Sequence, residues 1–209
     1  IVVTEAMADA IAGYGQAYVL SRSNARINAQ ALYRLMFEPD RKKVYPSFPM
    51  THVMDSPAIL AEIEHFRDSL AEHFITFDPA DVDEKHLMGL AGEALRRGED
   101  HILREVNGHQ VSMNAAEINS IARDIDGQIY ARDFKLIDQS DMVVSYIPAM
   151  PDGRPALSSG VERELHHAFE GTREAFVVWR PDCDPSPFVT ETATRVFRTI
   201  AELFDYFQQ

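Results

Sequence analysis

The sequence predicts an α/β domain, in which a parallel sheet of about four or five strands carries helices on both faces. Short apolar, β-prone runs alternate along the chain with longer runs whose apolar residues recur at helical spacing. One short run, residues 142–147, is nearly continuous in apolar residues, which is typical of a strand buried on both faces of a parallel sheet. The carboxyl ends of such strands lie along one edge, where these sheets bind ligands.

A helical segment is predicted before this domain, over residues 1–40. Apolar side chains such as Ile11, Tyr14 and Tyr18 recur there at helical spacing. The chain opens on Ile1, which suggests a piece or a processed form of a longer protein. The segment either packs on the main domain, predicted over 41–209, or is the tail of an upstream domain.

The elements of the main domain follow in a β-α-β, insertion, α-β-α-β-α order. Residues 44–48 predict a first strand, and Asp55, Ser56 and Pro57 predict a helix start with proline at the first helical position. The acidic stretch 80–110 predicts a helical insertion, either a lid or a dimer arm. The other predicted elements are a strand at 74–77, helices at 115–125, 134–139 and 160–169, strands at 142–147 and 175–179, and a final helix that includes Val196 and Ile200. This order favours a Rossmann-like or flavodoxin-like sheet.

Bulk composition excludes several classes of partner. The formal net charge is −13, which repels the backbone of DNA or RNA and anionic lipid. No segment reaches the roughly 18 apolar residues that a membrane span needs. The single cysteine, Cys183, cannot form an intramolecular disulfide, and its acidic flanks do not activate a thiol. A reducing, cytoplasmic location is therefore expected.

Several cofactor and catalytic motifs are missing from the sequence. It contains no Gly-x-Gly-x-x-Gly, no Gly-Lys-Ser/Thr phosphate loop and no Gly-x-Ser-x-Gly. It also contains no His-x-x-x-His and no pair of cysteines. We therefore expect no dinucleotide cofactor, no metal site and no serine nucleophile.

Glu164 is the strongest candidate for a catalytic residue. On a helical wheel Val161, Leu165, Ala168 and Phe169 share an apolar side, and Glu164 lies at its edge. Ser159 and Glu162 match a capping box, which provides a structural role for Glu162. Glu164 is predicted to be ionised by the helix dipole and partly desolvated, as a carboxylate nucleophile requires. A purely structural role, stabilising the helix start, remains open.

Two aspartates flank the short predicted helix at 134–139. Asp141 directly precedes the buried strand, so a cap or turn role is expected. Asp133 comes one helix earlier, and its carboxyl is a second candidate for catalysis.

Three stretches resemble the nucleoside 2-deoxyribosyltransferase superfamily, which includes 2'-deoxynucleoside 5'-phosphate N-hydrolases and CMP N-glycosidases. The first, residues 44–51, is similar to the family's opening strand and loop. The second, 133–148, is similar to its Asp, short helix, Asp and apolar strand, and the third, 158–168, to its Gly-x-x-x-Glu-Leu/Ile pattern. The resemblance covers about 43–207 and leaves out the first 37 residues and the insertion. Phe48 stands where the family usually has glycine, and His166 where glycine often follows Glu-Leu.

The resemblance implies roles for individual residues. Glu164 matches the nucleophile that attacks the anomeric carbon, Asp133 the acid that assists departure of the base, and Tyr45 the tyrosine that orients the nucleophile. Ser158 matches a serine of the family's nucleotide hydrolases, where nucleoside transferases carry Asp, and so implies a 5'-phosphate. The other substrate contacts that it implies are Ser47, Phe48, Pro49, Met50, Ser159, Gly160 and Tyr146. It also implies a homodimer, a small nucleotide as ligand and no cofactor.

Three functions are therefore open at this point. The first is a nucleotide N-glycosidase or glycosyltransferase that forms a covalent glycosyl-Glu intermediate. The second is a nucleotide-sensing or interaction domain without turnover. The third is a nicotinamide-dinucleotide glycohydrolase of the TIR type, which also uses a glutamate on an α/β domain.

Overall fold

A computed structural model describes residues 18, 25–50, 53–79, 82–106 and 109–208. Its strands, in chain order, are β1 (Lys43–Ser47), β2 (Ile75–Thr76), β3 (His101–Val106), β4 (His109–Asn114), β5 (Met142–Ile147), β6 (Glu174–Trp179) and β7 (Arg195–Phe197). Its helices are α1 (Ala25–Phe37), α2 (Pro57–His73), α3 (Val82–Arg96), α4 (Ala115–Asp138), α5 (Ser159–Glu170), α6 (Pro187–Thr190) and α7 (Ile200–Phe207).

Five of the strands form a parallel sheet in the order β2-β1-β5-β6-β7. Both faces of this sheet are covered. Side chains of α2 and α7 pack on one face, and side chains of α1, α4, α5 and α6 pack on the other. The predicted α/β fold, with about five parallel strands and helices on both faces, is confirmed.

The strand order places a crevice between β1 and β5. The chain leaves β1 for β2 on one side and later returns to β5 on the other side of β1. Connections that diverge in this way leave an opening at the carboxyl ends of the two strands, where doubly wound sheets bind ligands. The register sets Tyr45 beside Val143 and Ser47 beside Ser145 at this point.

The predicted insertion differs from the observed one. It contains α3, as expected of a helical segment, but an antiparallel hairpin of β3 and β4 follows. The hairpin and the flanking helices share a small core of their own, made of Ala91, Ala94, Ile102, Ala115 and Ile118. The strands were missed because most of their side chains are polar and only one side meets a core, so the apolar alternation is weak.

Two further helix predictions are wrong. The helices predicted at 115–125 and 134–139 are one continuous helix, α4, whose Asn114 cap accepts a hydrogen bond from the Glu117 N–H. Val196 lies in β7 rather than in the final helix, which starts at Ile200 after the Thr199 cap. Pairing of β7 with β6 satisfies backbone groups of this segment and overrides its helical spacing. Of the predicted N-terminal segment, Ile11 and Tyr14 lie outside the described residues, and the described helix is α1.

The sequence predicts no membrane-spanning segment, and the described helices can be compared with that prediction. None of those within the described ranges combines the length and the apolarity that crossing a bilayer requires.

Candidate functional site

Two hydroxyl groups of β1 hold the carboxylate of Glu164. The Tyr45 hydroxyl donates to Oε1 at 2.8 Å, and the Ser47 hydroxyl donates to Oε2 at 2.6 Å. Tyr45 and Ser47 are two residues apart on a strand, so their side chains leave the same face of the sheet. Each carboxylate oxygen therefore receives its own donor from one rigid element. Tyr45 and Glu164 are 119 residues apart in the sequence, so this contact is made only in the folded chain.

Helix α5 presents Glu164 to these donors. Val161, Leu165 and Ala168 are buried against the sheet, as predicted, and Glu164 is partly buried beside them. Phe169, predicted on the same side, is instead 54% exposed near the end of the helix. The cap is Ser158, whose Oγ accepts from the Val161 N–H at 3.3 Å. The predicted capping box of Ser159 and Glu162 is therefore wrong, because the helix begins one residue earlier.

Burial raises the pKa of Glu164 to about 7. The hydrogen bonds from Ser47 and Tyr45 lower that pKa, and the charge of Asp133 raises it further, but loss of water is the largest effect. Glu164 lies in the second turn of α5, and the helix dipole acts mainly within the first. Burial therefore outweighs the dipole, which was expected to favour the ionised form, and Glu164 is divided between its acid and its carboxylate near neutral pH.

Tyr45 is suited to remain a donor. Its side chain is fully buried, and burial, followed by the negative charges of Glu164 and Asp133, raises its pKa well above the usual value. A phenol that keeps its proton at all working pH values donates permanently to the carboxylate. The role that the resemblance implies for Tyr45, orienting Glu164, agrees with this contact.

Asp133 lies in the last turns of α4, within electrostatic range of both Glu164 and Tyr45. Its Oδ1 is 3.2 Å from Nε of Arg132, and both side chains are 19% exposed. Arg132 also donates from Nη2 to the carbonyl of Pro79 at 2.9 Å, in the loop that follows β2. Sequence reasoning missed Arg132; the only signal was an arginine immediately before the candidate aspartate.

Asp141 has the structural role that its position predicted. Its Oδ2 accepts from the backbone N–H of Lys43 at 2.8 Å. This bond joins the starts of β1 and β5, at the edge of the sheet opposite to the strand ends that carry the site. Arg173 donates to the carbonyls of Asp138 and Ser140, and so holds the C-terminal end of α4 in place next to Asp141.

The predicted substrate contacts divide between the two faces of the sheet. Ser47 is on the Glu164 side, and Ser158, Ser159 and Gly160 lie at the start of α5. Phe48, Met50 and Tyr146 lie on the opposite face, in the core that α2 and α7 cover. Pro49, which stands between Phe48 and Met50 in the sequence, is also buried. Tyr146 stacks on Phe66, and its hydroxyl donates to Glu62 at 2.9 Å.

Ser145 is a further polar group on the Glu164 face that sequence reasoning did not single out. It is fully buried, lies in register beside Ser47, and its Oγ has no hydrogen-bond partner among the described residues. A buried hydroxyl without a partner is uncommon in folded proteins. Its place beside Ser47 adds to the polar character of this part of the crevice.

Replacing Ser47 by alanine is expected to raise the pKa of Glu164 above 7 by roughly one unit, because a donor that favours the ionised carboxylate is lost. Carbon NMR titration of side-chain carboxyls in glutamate-labelled protein measures this pKa without any assay of activity. Ser69→Ala is the matched control, since Ser69 on α2 donates only to the carbonyl of His65 among the bonds described. An unchanged Glu164 titration in Ser47→Ala would contradict the assigned contact.

Comparisons of the chain with known proteins found no match from which a function of this site could be inferred. No protein-family model matches the chain, and no curated protein matches it. Within the described residues, no group of three or more His, Cys, Asp or Glu side chains is arranged to hold a metal ion.

Proposed function

We propose that this protein breaks the N-glycosidic bond of a nucleoside 5'-monophosphate or related nucleotide, as a hydrolase or a transferase, through a covalent glycosyl ester on Glu164. The observation that supports it most is the geometry of Glu164, which Tyr45 and Ser47 hold at the crevice between β1 and β5 with Asp133 nearby. The proposal includes a cytoplasmic location and membership of the nucleoside 2-deoxyribosyltransferase superfamily, which the three sequence stretches resemble.

The chemistry follows from the carboxylate. A C–N glycosidic bond breaks through an oxocarbenium-like state, which a nearby carboxylate stabilises and then traps as an ester. Glu164 needs its ionised form for this attack, and with a pKa of about 7 that form is present near neutral pH. The hydroxyl groups that contact the carboxylate do not form a strong ion pair with it, so it remains able to react. Water then releases the sugar in a hydrolase, and a second base does so in a transferase.

The start of α5 is suited to the 5'-phosphate. Backbone N–H groups at a helix start and the positive end of its dipole attract an anion. Ser158 accepts one hydrogen bond there, and a hydroxyl that accepts can still donate its own proton. The six-residue separation of Ser158 and Glu164 would thus place the phosphate about 1.7 helical turns, or roughly 9 Å, from Glu164 along the helix.

A panel of nucleoside monophosphates and nucleosides, analysed by chromatography for free base, tests the proposal. We expect the wild type to release base from at least one nucleotide. Mass spectrometry of protein quenched during turnover is expected to show Glu164 carrying the sugar phosphate. A panel in which calorimetry detects nucleotide binding but no base appears would replace the enzyme with a sensing domain.

A homodimer is part of the proposal, and α1 provides a suitable surface. Apolar side chains at helical spacing leave its outer side exposed, namely Leu32 (43%), Tyr33 (58%), Met36 (65%) and Phe37 (64%). Met36→Glu is expected to convert a dimer into a monomer in light scattering. Leu103→Glu changes an exposed position of the hairpin in the same way. A dimer that persists in this variant shows that the effect is specific to α1, and a dimer lost only in this variant assigns the interface to the insertion. A wild type that is monomeric at working concentration removes the dimer.

A further inference from the structure

The pairing of Asp133 with Arg132 bears on which bases the site can release. A guanidinium keeps its charge at every working pH, and one that contacts a carboxylate favours the ionised form of that carboxylate. Both side chains are largely withdrawn from solvent, so water screens the attraction little. The bond from Arg132 to the Pro79 carbonyl holds the guanidinium in place. The contact with Arg132 thus favours the carboxylate form of Asp133, which accepts hydrogen bonds but has no proton to donate.

This charge state divides possible leaving groups into two classes. A neutral nucleobase leaves as an anion unless an acid protonates it, so its release depends on a proton donor beside the base. A base whose glycosidic nitrogen already carries a positive charge, as in a pyridinium ring, leaves as a neutral molecule. It takes the electron pair of the C–N bond and needs no proton.

We propose that the substrate is a nucleotide of the second class, a pyridinium-type N-glycoside such as a nicotinamide nucleotide. In the first step the Glu164 carboxylate forms a bond to the anomeric carbon while the C–N bond breaks and its electron pair neutralises the ring nitrogen. One negative and one positive charge become a neutral ester and a neutral base. Water then cleaves the ester, which yields the sugar phosphate, the carboxylate and one proton. The inference rests on the proposed function and narrows its substrate.

The charges around the crevice favour the same class. Within this described group of three, ionised Glu164 and Asp133 carry two negative charges and Arg132 carries one positive charge, so the sum is negative. A cationic ring is attracted to such a site and loses that attraction as it becomes neutral. Burial of the two carboxylates strengthens this effect over its value in water.

Rates on nicotinamide mononucleotide and nicotinamide riboside, compared with AMP and CMP, test the inference. We expect kcat/KM at least ten-fold higher for nicotinamide mononucleotide than for AMP or CMP, and a lower value for the riboside than for the mononucleotide because it lacks the 5'-phosphate. The rate on both pyridinium compounds is expected to rise with pH as Glu164 ionises and then to stay level in the alkaline range. AMP or CMP cleaved as fast or faster, or an alkaline decline for the pyridinium compounds, overturns the inference and leaves the glycosidase intact. No base from any compound overturns both.

Substitution of Arg132 adds a test of the residue itself. Arg132→Gln is expected to let Asp133 take up a proton, and so to shift the ratio of AMP to nicotinamide mononucleotide cleavage at least five-fold toward AMP. Arg132→Lys retains the charge and is expected to keep the wild-type ratio. Arg97→Gln is the control, because Arg97 is exposed and pairs with Glu99 beside the hairpin. An unchanged ratio in folded Arg132→Gln overturns the role of Arg132; should that variant not fold, the wild-type pH profile decides.

Discussion

Glu164→Gln is expected to abolish base release and, at the same time, to stabilise the folded protein above pH 7. The amide cannot attack an anomeric carbon, so the rate should fall by about 10³-fold or more, as for other catalytic nucleophiles. The amide also cannot ionise, so the variant avoids the cost of a partly buried charge. Loss of activity with gain of stability is the pattern of a residue retained for chemistry rather than for folding.

The pH range of the stability gain follows from the pKa of Glu164. In the unfolded chain this group titrates near 4.5, and in the folded protein at about 7. Between these values the unfolded state loses a proton that the folded state retains, so the free energy of unfolding of the wild type falls as pH rises through this range. The variant has no such dependence. The difference should be small at pH 4.5 and reach roughly 3 kcal/mol above pH 7.

Thermal unfolding of both proteins at pH 5 and pH 8 measures this difference. We expect Tm of Glu164→Gln to exceed that of the wild type by about 9 °C at pH 8 and by only about 2 °C at pH 5. Glu162→Gln is the control, because Glu162 is an exposed neighbour on the same helix. Equal Tm differences at the two pH values would contradict the raised pKa, and full base release by Glu164→Gln would remove the proposed nucleophile.

Asp78→Ala is expected to destabilise the protein by roughly 3–5 kcal/mol, because it leaves a guanidinium uncompensated in the interior. Asp78 is fully buried at the end of β2, and Arg67 contacts its Oδ2 through Nε at 2.9 Å and Nη2 at 2.8 Å. The same guanidinium lies over the ring of Phe48, 5.3 Å from its centre. The pair thus joins α2 to the loops that follow β1 and β2, next to the candidate site.

Urea unfolding of Asp78→Ala, monitored by circular dichroism, measures the loss. Glu99→Ala provides the comparison, since Glu99 forms an exposed pair with Arg97 and its removal should cost under about 1 kcal/mol. The double variant Arg67→Met with Asp78→Ala removes both charges and is expected to recover part of the stability. A loss in Asp78→Ala no larger than in Glu99→Ala would show that the pair contributes little.

Several features of the fold and site could be predicted from local sequence. The run at 142–147 is β5 to the residue, because a strand buried on both faces must be apolar along its whole length. Helix α5 differs from its predicted bounds by one residue at each end, since the spacing of Val161, Leu165 and Ala168 marks its buried side. The hairpin was missed because its strands carry too few apolar residues to show alternation. The strand β7 was missed because three residues are too few to show alternation against the helical spacing of Val196 and Ile200.

By itself, the sequence determined the alternation of strands and helices, the apolar faces that build the sheet, and the presence of Glu164 and Asp133 as unexplained carboxylates. Only the tertiary structure decided that Tyr45 and Ser47 hold Glu164, and that Arg132, beside Asp133, donates to the Pro79 carbonyl. The physical reason is that helix and strand periodicity are local properties of the chain. Hydrogen bonds between distant residues, and the removal of water that raises the pKa of Glu164, arise only when β1, α4 and α5 pack together.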